Sequence, residues 1–244
     1  MDTAVDPELQ RVKVVLDGFV ERLRASLCDS LVSVILFGSV ARGRFDPAVS
    51  DVNVMLVLSS VTVPMLDQVA VAADPVRREY ALSLLTVTEA DLGDSVELFP
   101  TKFLDIRRNH QTLWGREIAA TLDVPRDRLQ RQARRQLVNL HLRLRQMYLE
   151  ARTRPERLDA ILRRSTTTLF HHLGLLLELK LGQPCEGPDA TLAAAARAGW
   201  DRALLEKFIG FKHGRSAVAA AELPGFYEVF MQQVESAIRL ADAS

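Results

Sequence analysis

Two short apolar runs near the start of the chain place the strongest constraint on its fold. Each run has seven residues, most of them branched and apolar: LVSVILF at 31–37 and VNVMLVL at 52–58. Runs of this length and composition, bounded by turn residues, are typical of buried strands. The connection between them, residues 38–51, is rich in Gly, Ser, Pro and Asp, which favour turns. The sequence therefore predicts two strands of one sheet.

The hydrophobic patterns divide the chain into two parts. In the first part they predict four further elements: a helix at 7–27, a helix at 64–80 interrupted near Pro75, a strand at 80–88 and a short strand at 96–99. From Pro125 onward the patterns are helical, as in an antiparallel bundle. We therefore expect an α+β protein, with a small mixed sheet in domain 1–123 and an all-α helical bundle in domain 124–244.

The composition is that of an ordinary globular protein. Of the 244 residues, 48% are hydrophobic and 25% charged, which excludes a disordered or fibrous chain. The 31 basic and 31 acidic residues cancel, but the acidic residues are in excess in 1–123 and the basic residues in 124–244. Twelve arginines lie in 126–164 with a single aromatic residue, Tyr148, among them, which disfavours a nucleic-acid partner but leaves it open.

Cysteine usage and the N-terminal residues indicate a cytoplasmic protein. Cys28 and Cys185 are too few and too far apart for a disulfide framework. The first ten residues are acidic and polar, without the apolar core of a signal peptide. No apolar run reaches the roughly 18 residues of a spanning helix, so we expect no membrane partner.

The connection between the two predicted strands carries the residues that point to chemistry. Gly38 and Ser39 follow the first strand, and small residues there let backbone N–H groups approach a phosphate. Arg42 adds positive charge to this turn. Asp51 and Asn53 are two residues apart at the second strand, so their side chains share one face. Oxygen ligands beside a phosphate-binding turn suit a divalent metal and a nucleoside triphosphate.

This segment resembles the signature of the nucleotidyltransferase superfamily related to DNA polymerase beta. It is most similar to the small bacterial branch, which includes the kanamycin and streptomycin nucleotidyltransferases and the minimal nucleotidyltransferases of toxin–antitoxin pairs. The family pattern is Gly-Ser, a short gap, Arg-Gly, and then Ser-Asp-x-Asp on the next strand. The matching residues are Gly38, Ser39, Arg42, Gly43, Ser50 and Asp51. A looser likeness extends to Leu113-Trp114-Gly115, where family members often carry Leu-Tyr-Gly.

The resemblance implies a two-metal mechanism in which three carboxylates hold two Mg²⁺ ions. An acceptor hydroxyl attacks the α-phosphorus of the nucleotide in line, and pyrophosphate leaves. By this resemblance, Gly38, Ser39 and Arg42 bind phosphate, and Arg44 is a further candidate. Asp51 is a catalytic residue and metal ligand, and Asn53 occupies the second catalytic position.

The sequence departs from the family at the metal ligands. Asn53 replaces a carboxylate, and its amide oxygen brings no negative charge to Mg²⁺. The third carboxylate is expected on a later strand, close to the segment VELFPTKF, and the best alignment places Lys102 there. A lysine would repel a metal and could pair with Asp51 instead. Glu97 and Asp105 are the alternative third ligands.

Three functions stay open on the sequence alone. The first is a nucleotidyltransferase that binds Mg²⁺ and a nucleoside triphosphate and transfers the nucleoside monophosphate to a hydroxyl of a small molecule or protein. The second is a catalytically impaired pseudoenzyme, a nucleotide sensor or a protein or RNA interaction module, which Asn53 and Lys102 favour. The third is RNA binding or cleavage by the helical domain, since Arg135 and His141 have a spacing that resembles helical ribonuclease domains. The acceptor is unspecified, and the resemblance leaves a homodimer open.

Overall fold

A computed structural model describes residues 7–46 and 50–243. The chain divides into two compact units, Met1–Pro125 and Arg126–Ser244. Within the described residues, no helix is long and apolar enough to cross a membrane.

The first unit is built on a four-stranded mixed sheet. Its strands are β1 (Leu31–Phe37), β2 (Val52–Leu58), β3 (Leu82–Thr88) and β4 (His110–Gly115). The strand order is β3-β2-β1-β4, in which β2 and β3 run parallel and the other two pairs are antiparallel. The expected α+β fold, with a small mixed sheet followed by helices, is confirmed, as are the strands predicted at 31–37, 52–58 and 80–88.

Two long helices cover one face of the sheet. They are α1 (Pro7–Leu27) and α2 (Val63–Glu79), and α2 continues through Pro75, where an interruption was expected. Alternate residues of β1 and β2 join the apolar side of these helices in one core: Val34, Leu36, Val54, Leu56, Leu16, Phe19 and Leu23. Ile35 and Met55 point to the other face and are also fully buried, so the sheet is covered on both sides.

The prediction of a short strand at 96–99 is wrong. That segment belongs to α3 (Asp91–Leu98), which is followed by α4 (Pro100–Arg108). Thr88 and Asp91 exchange hydrogen bonds before α3: the Thr88 amide donates to Asp91 Oδ2 over 2.8 Å, and the Asp91 amide donates to Thr88 Oγ1 over 3.2 Å. This reciprocal pairing satisfies amides that a helix start leaves open, so local capping favours a helix over a strand.

The second unit consists of helices, as its sequence patterns predict. They are α5 (Arg126–Ala151), α6 (Pro155–Leu181), α7 (Gly187–Arg197), α8 (Arg202–Lys212) and α9 (Leu223–Asp242). The described residues also include two single turns of 3-10 helix, Cys28–Ser30 and Ala119–Thr121, both in the first unit. The apolar stripe of α5 is buried from Leu129 to Leu144, and α6 is buried over most of its second half. Asp201 caps α8 by accepting a hydrogen bond from the Leu204 amide.

Candidate nucleotide site

The connection that leaves β1 folds into a compact turn. The amide of Arg42 donates to the carbonyl of Gly38 over 3.1 Å, and the amide of Arg44 donates to the carbonyl of Ser39 over 2.9 Å. Gly38 has a φ of +79°, a conformation that favours glycine. A Cβ atom at Gly38 would lie 3.2 Å from Nδ2 of Asn53, so the missing side chain also lets the turn pack against β2.

The turn is anchored in the core at its far end. Phe45 is buried and its ring packs edge-on against Tyr80, with the ring centroids 5.7 Å apart. Burial raises the pKa of Tyr80, with a further contribution from the charge of Glu8. Asp46 and Ser50 exchange two hydrogen bonds: the Ser50 amide donates to the Asp46 carbonyl over 2.7 Å, and the Asp46 amide donates to Ser50 Oγ over 3.3 Å. These contacts hold both ends of the connection relative to β2.

Asp51 and Asn53 lie at the start of β2, next to this turn. Asp51 is exposed, and within the described residues its carboxylate has no hydrogen-bond partner. Asn53 pairs with Phe37 of β1, and its Nδ2 donates to the backbone carbonyl of Asp51 over 3.1 Å. The amide nitrogen of Asn53 is a hydrogen-bond donor, so the amide oxygen is the atom that could bind a cation.

The sheet register identifies the position from which a third metal ligand would have to come. The family resemblance places the third carboxylate on a later strand, and a strand beside β2 would bring it next to Asp51 and Asn53. The later of the two neighbouring strands is β3, where Ser83 pairs with Asn53 and the Ala81 carbonyl accepts from the Val52 amide. Paired residues of neighbouring strands share a face, and the sequence of β3, LSLLTVT, contains no carboxylate. Asp51 is therefore the one carboxylate on this part of the sheet.

The residues that the sequence alignment offered as third ligands lie elsewhere. Lys102 and Glu97 lie on α4 and α3, because the segment expected to be a strand is helical. Lys102 is exposed, and its side chain makes no ion pair with Asp51 or any other described residue. Asp105 is already bound, since its Oδ1 accepts from Arg42 Nη1 over 2.7 Å and from Asn109 Nδ2 over 3.0 Å.

The two arginines of the turn therefore differ in what they contact. Arg42 reaches α4 through its ion pair with Asp105, in which the two side chains are 35% and 42% exposed. Arg44 is exposed, and its backbone amide closes the turn. The structure thus brings Gly38 and Asn53 into contact, and it ties Arg42 to an acidic side chain.

The donor set fits one Mg²⁺ ion and does not fit two. Mg²⁺ commonly binds one or two carboxylates, and completes its shell with substrate phosphates and water. The Asp51 carboxylate meets that minimum, and Asn53 lies two residues further along the chain, on β2. Among residues 7–46 and 50–243, no group of three or more His, Cys, Asp and Glu side chains could hold a metal ion. A second ion has no carboxylate on β3 to bind it.

A polar cluster at the β4 edge was not predicted, because no motif marks it. Its centre is Glu117, which accepts from Thr112 Oγ1 over 2.7 Å, from the Ala120 amide over 3.2 Å and lies 2.9 Å from Nε2 of His110. The hydrogen bond from Thr112 is the main reason why the pKa of Glu117 is lowered, and His110 adds to the effect. His110 pairs with Phe37, the last residue of β1 before the turn.

Strand β4 ends at Gly115, and the backbone at this position requires the glycine that follows Leu113 and Trp114. Its φ is +85°, and a Cβ atom there would lie 2.2 Å from the carbonyl oxygen of Val32. No real side chain tolerates that distance, so β4 can pair with β1 here only through glycine. Ser33 reinforces the same contact, because its hydroxyl donates to the Arg116 carbonyl over 2.8 Å.

The helical unit does not bring together the pair that resembles a ribonuclease motif. On α5, Arg135 is exposed, whereas His141 is buried. His141 Nε2 lies 3.3 Å from Glu235 Oε1, but the direction of the contact does not make it a hydrogen bond. Burial, followed by the charge of Arg145, lowers the pKa of His141. On α6, burial lowers the pKa of His172 to about 4, with a further contribution from His171.

The fold of the chain is similar to that of a nucleotidyltransferase of known structure. The chain resembles the crystal structure of spectinomycin adenyltransferase AAD(9) from Enterococcus faecialis with ATP and spectinomycin. The match has 13% sequence identity and a TM-score of 0.54, and it covers 94% of this chain and 98% of that chain. At this level of identity the likeness establishes the fold and not the activity. No protein-family model and no curated protein matches the sequence.

Proposed function

We propose that the chain binds a nucleoside triphosphate at the turn after β1 and that it is impaired as a nucleotidyltransferase. The observation that carries this proposal is the register of β2 and β3, which pairs Asn53 with Ser83 where a second and third carboxylate would be needed. The turn, by contrast, retains Gly38, Ser39 and Arg42. The solved structure of the similar AAD(9) contains ATP, which supports a nucleotide as the ligand.

The main chain of the turn supports phosphate binding. Within the described residues, the amides of Ser39, Val40 and Ala41 donate to no carbonyl, while the three amides that follow are used inside the turn. Successive unpaired N–H groups form a concave site that attracts an anion. In the proposed complex these amides and the Ser39 hydroxyl bind phosphate oxygens, and the Arg42 guanidinium neutralises charge.

Asp51 and Asn53 would hold a single Mg²⁺ that arrives with the nucleotide. The ion supplies charge neutralisation for the triphosphate and helps to orient it. Asp51 provides the anionic oxygen, and Asn53 keeps the start of β2 in place through its hydrogen bond to the Asp51 carbonyl. Because this site has one carboxylate, we expect nucleotide binding to be retained and transfer to be slow.

Any residual transfer would place the nucleoside monophosphate on a hydroxyl. The acceptor oxygen would form a bond to the α-phosphorus, the bond to the β-phosphate oxygen would break, pyrophosphate would leave and the proton would pass to solvent. The acceptor class is a small molecule or a protein. Spectinomycin is the first acceptor to test, because it is present in the structure of the similar AAD(9).

The proposal is tested by thermal unfolding of the full chain with each of the four nucleoside triphosphates, with and without Mg²⁺. A ligand at about 100 times its dissociation constant adds about 2.7 kcal/mol to the free energy of unfolding, which gives a clear rise in Tm. We expect such a rise for at least one nucleotide, and we expect Asp51→Ala to remove its dependence on Mg²⁺.

Asp67→Ala is the matched control, because Asp67 is an exposed aspartate on α2. This variant should respond to nucleotide and Mg²⁺ as the wild type does. The absence of any Tm rise with all four nucleotides would refute nucleotide binding. Rapid release of pyrophosphate in the presence of an acceptor would refute the impaired chemistry.

A further inference from the structure

Arg42 is the cation of the proposed phosphate site, and it is bound to an acidic residue from another element. Its Nη1 donates to Oδ1 of Asp105 on α4 over 2.7 Å, across 63 positions of sequence. The contact uses one nitrogen of the guanidinium. The guanidinium has five N–H donors, so the two anions compete for its charge: while the Asp105 carboxylate neutralises Arg42, the attraction of Arg42 for a phosphate is reduced.

The environment of Asp105 allows Arg42 to move away without leaving the Asp105 carboxylate unsolvated and unpaired. Oδ1 of Asp105 also accepts from Nδ2 of Asn109, one helical turn further along, over 3.0 Å. The carboxylate is partly exposed, so water can replace the guanidinium when Arg42 moves. Ion pairs between partly exposed side chains contribute little to stability, and an exchange of partners at Arg42 is therefore inexpensive.

We propose that Asp105 is an internal counter-ion that competes with the triphosphate for Arg42. The proposal rests on the nucleotide site proposed above and adds a determinant of its affinity. Without nucleotide, Asp105 neutralises Arg42 and holds it against α4. When a triphosphate enters, Arg42 exchanges the carboxylate for phosphate oxygens, and Asp105 remains hydrogen-bonded to Asn109. The carboxylate thereby sets the threshold concentration of nucleotide at which the site fills.

The test is a calorimetric titration of the full chain with ATP and Mg²⁺, for the wild type and for Asp105→Asn, at low and at moderate salt. The asparagine keeps an oxygen for Arg42 and removes the competing charge. We expect Asp105→Asn to bind ATP about three- to fivefold more tightly than the wild type. The free energy of an exposed ion pair corresponds to a change of about this factor in a dissociation constant. The gain should decrease as salt screens the charges.

Two further variants separate the proposed competition from other effects of charge. In an Arg42→Ala background, Asp105→Asn should give no gain. Glu21→Gln is the matched control, because it removes one exposed carboxylate of the same unit from its ion pair with Arg24, which has an N–O distance of 2.8 Å. Its affinity for ATP should equal that of the wild type. Thermal unfolding without nucleotide verifies that each variant is folded.

Four results would overturn the inference. Weaker binding by Asp105→Asn would mean that Asp105 orients Arg42 for the phosphate, and an equal gain in the Arg42→Ala background would mean a general charge effect. If the wild type binds ATP and Asp105→Asn binds equally well, the inference fails while the proposed function stands. If neither binds, both fail. Binding by Asp105→Asn alone would support the competition in its strongest form.

Discussion

The two sides of the candidate site depend on different kinds of group. On the phosphate side, the turn from Gly38 to Arg44 depends mainly on backbone geometry, which small residues and internal hydrogen bonds maintain. On the metal side, β2 and β3 supply Asp51, Asn53 and Ser83, of which only Asp51 is acidic. Anion binding through backbone amides survives changes of most side chains, whereas metal chemistry is lost with individual carboxylates. The proposed function rests on this difference, since nucleotide binding depends on the turn and efficient transfer depends on the carboxylates.

The largest expected effect concerns the phosphate side. Gly38→Ala should lower ATP affinity by about tenfold or more, because its Cβ would lie 3.2 Å from Nδ2 of Asn53, and either Asn53 or the turn would have to shift. Gly43→Ala is a matched control, since Gly43 also has a positive φ but a Cβ there would meet nothing within 4 Å. Both variants should lose about 1–2 kcal/mol of stability from the left-handed backbone.

Calorimetric titration and thermal unfolding measure these two effects separately. Equal losses of ATP affinity in Gly38→Ala and Gly43→Ala would mean that backbone strain, and not the contact with Asn53, controls the phosphate side. Unchanged affinity in both would place the nucleotide elsewhere.

The next effect concerns the metal side. The double change Asn53→Asp with Ser83→Asp should strengthen Mg²⁺ binding by about tenfold, or about 1.4 kcal/mol, because it adds two anionic oxygens beside Asp51. It should also increase pyrophosphate release in the presence of an acceptor. Asn53→Asp with Lys102→Glu is the control, since Lys102 lies on α4, outside the sheet.

Titration with Mg²⁺ in the presence of a non-hydrolysable nucleotide distinguishes the two double variants. A larger gain from the change at Lys102 than from the change at Ser83 would contradict the assignment of the third ligand position to β3. Folding of both variants is verified by their unfolding transitions.

The smallest effect concerns the β4 edge, which adjoins the phosphate side through the pairing of His110 with Phe37. The pKa of Glu117 is lowered in the folded chain, so its contribution to stability is present above the unfolded value and is lost as pH falls through the folded value. Because Glu117 is half exposed, we expect only a few tenths of a kcal/mol, roughly, after screening by solvent.

Glu117→Gln should therefore flatten the dependence of stability on pH below about pH 4.5. Thr112→Val, which removes the main hydrogen bond to Glu117, should flatten it in part. Chemical denaturation between pH 3 and pH 7 measures both curves. A steeper loss of stability on acidification in Glu117→Gln than in the wild type would contradict the lowered pKa.

Most of the first unit could be predicted from local patterns. The strands β1, β2 and β3 are runs of branched apolar residues, which is why their positions were predicted closely. The edge strand β4 was missed because HQTLWG has no such run and is only half-buried. The segment 96–99 was misassigned because a run of four mostly apolar residues is too short to distinguish a strand from a helix. The reciprocal hydrogen bonds of Thr88 and Asp91 favour the helix.

Only the phosphate side of the candidate site has a local pattern in the sequence. Gly38, Ser39 and Arg42 lie within five residues, so the sequence could indicate a phosphate-binding turn there, and this role stays a prediction. The position of Ser83 beside Asn53 depends on the parallel register of β2 and β3, across 30 residues that include a helix. The ion pair of Arg42 with Asp105 likewise joins distant segments. Pairings of this kind are fixed by tertiary packing and leave no local pattern.

The close approach of Gly115 to the Val32 carbonyl limits which point mutations this chain can tolerate. Every single-base change in a glycine codon that alters the amino acid introduces a Cβ atom, and a Cβ atom here would lie 2.2 Å from a backbone oxygen. No single-base missense change at this codon is therefore neutral. In a library of random point mutants selected for folded protein, we expect missense changes at codon 115 to be among the most strongly depleted. Codon 43 should tolerate several substitutions, because a Cβ atom there meets nothing within 4 Å.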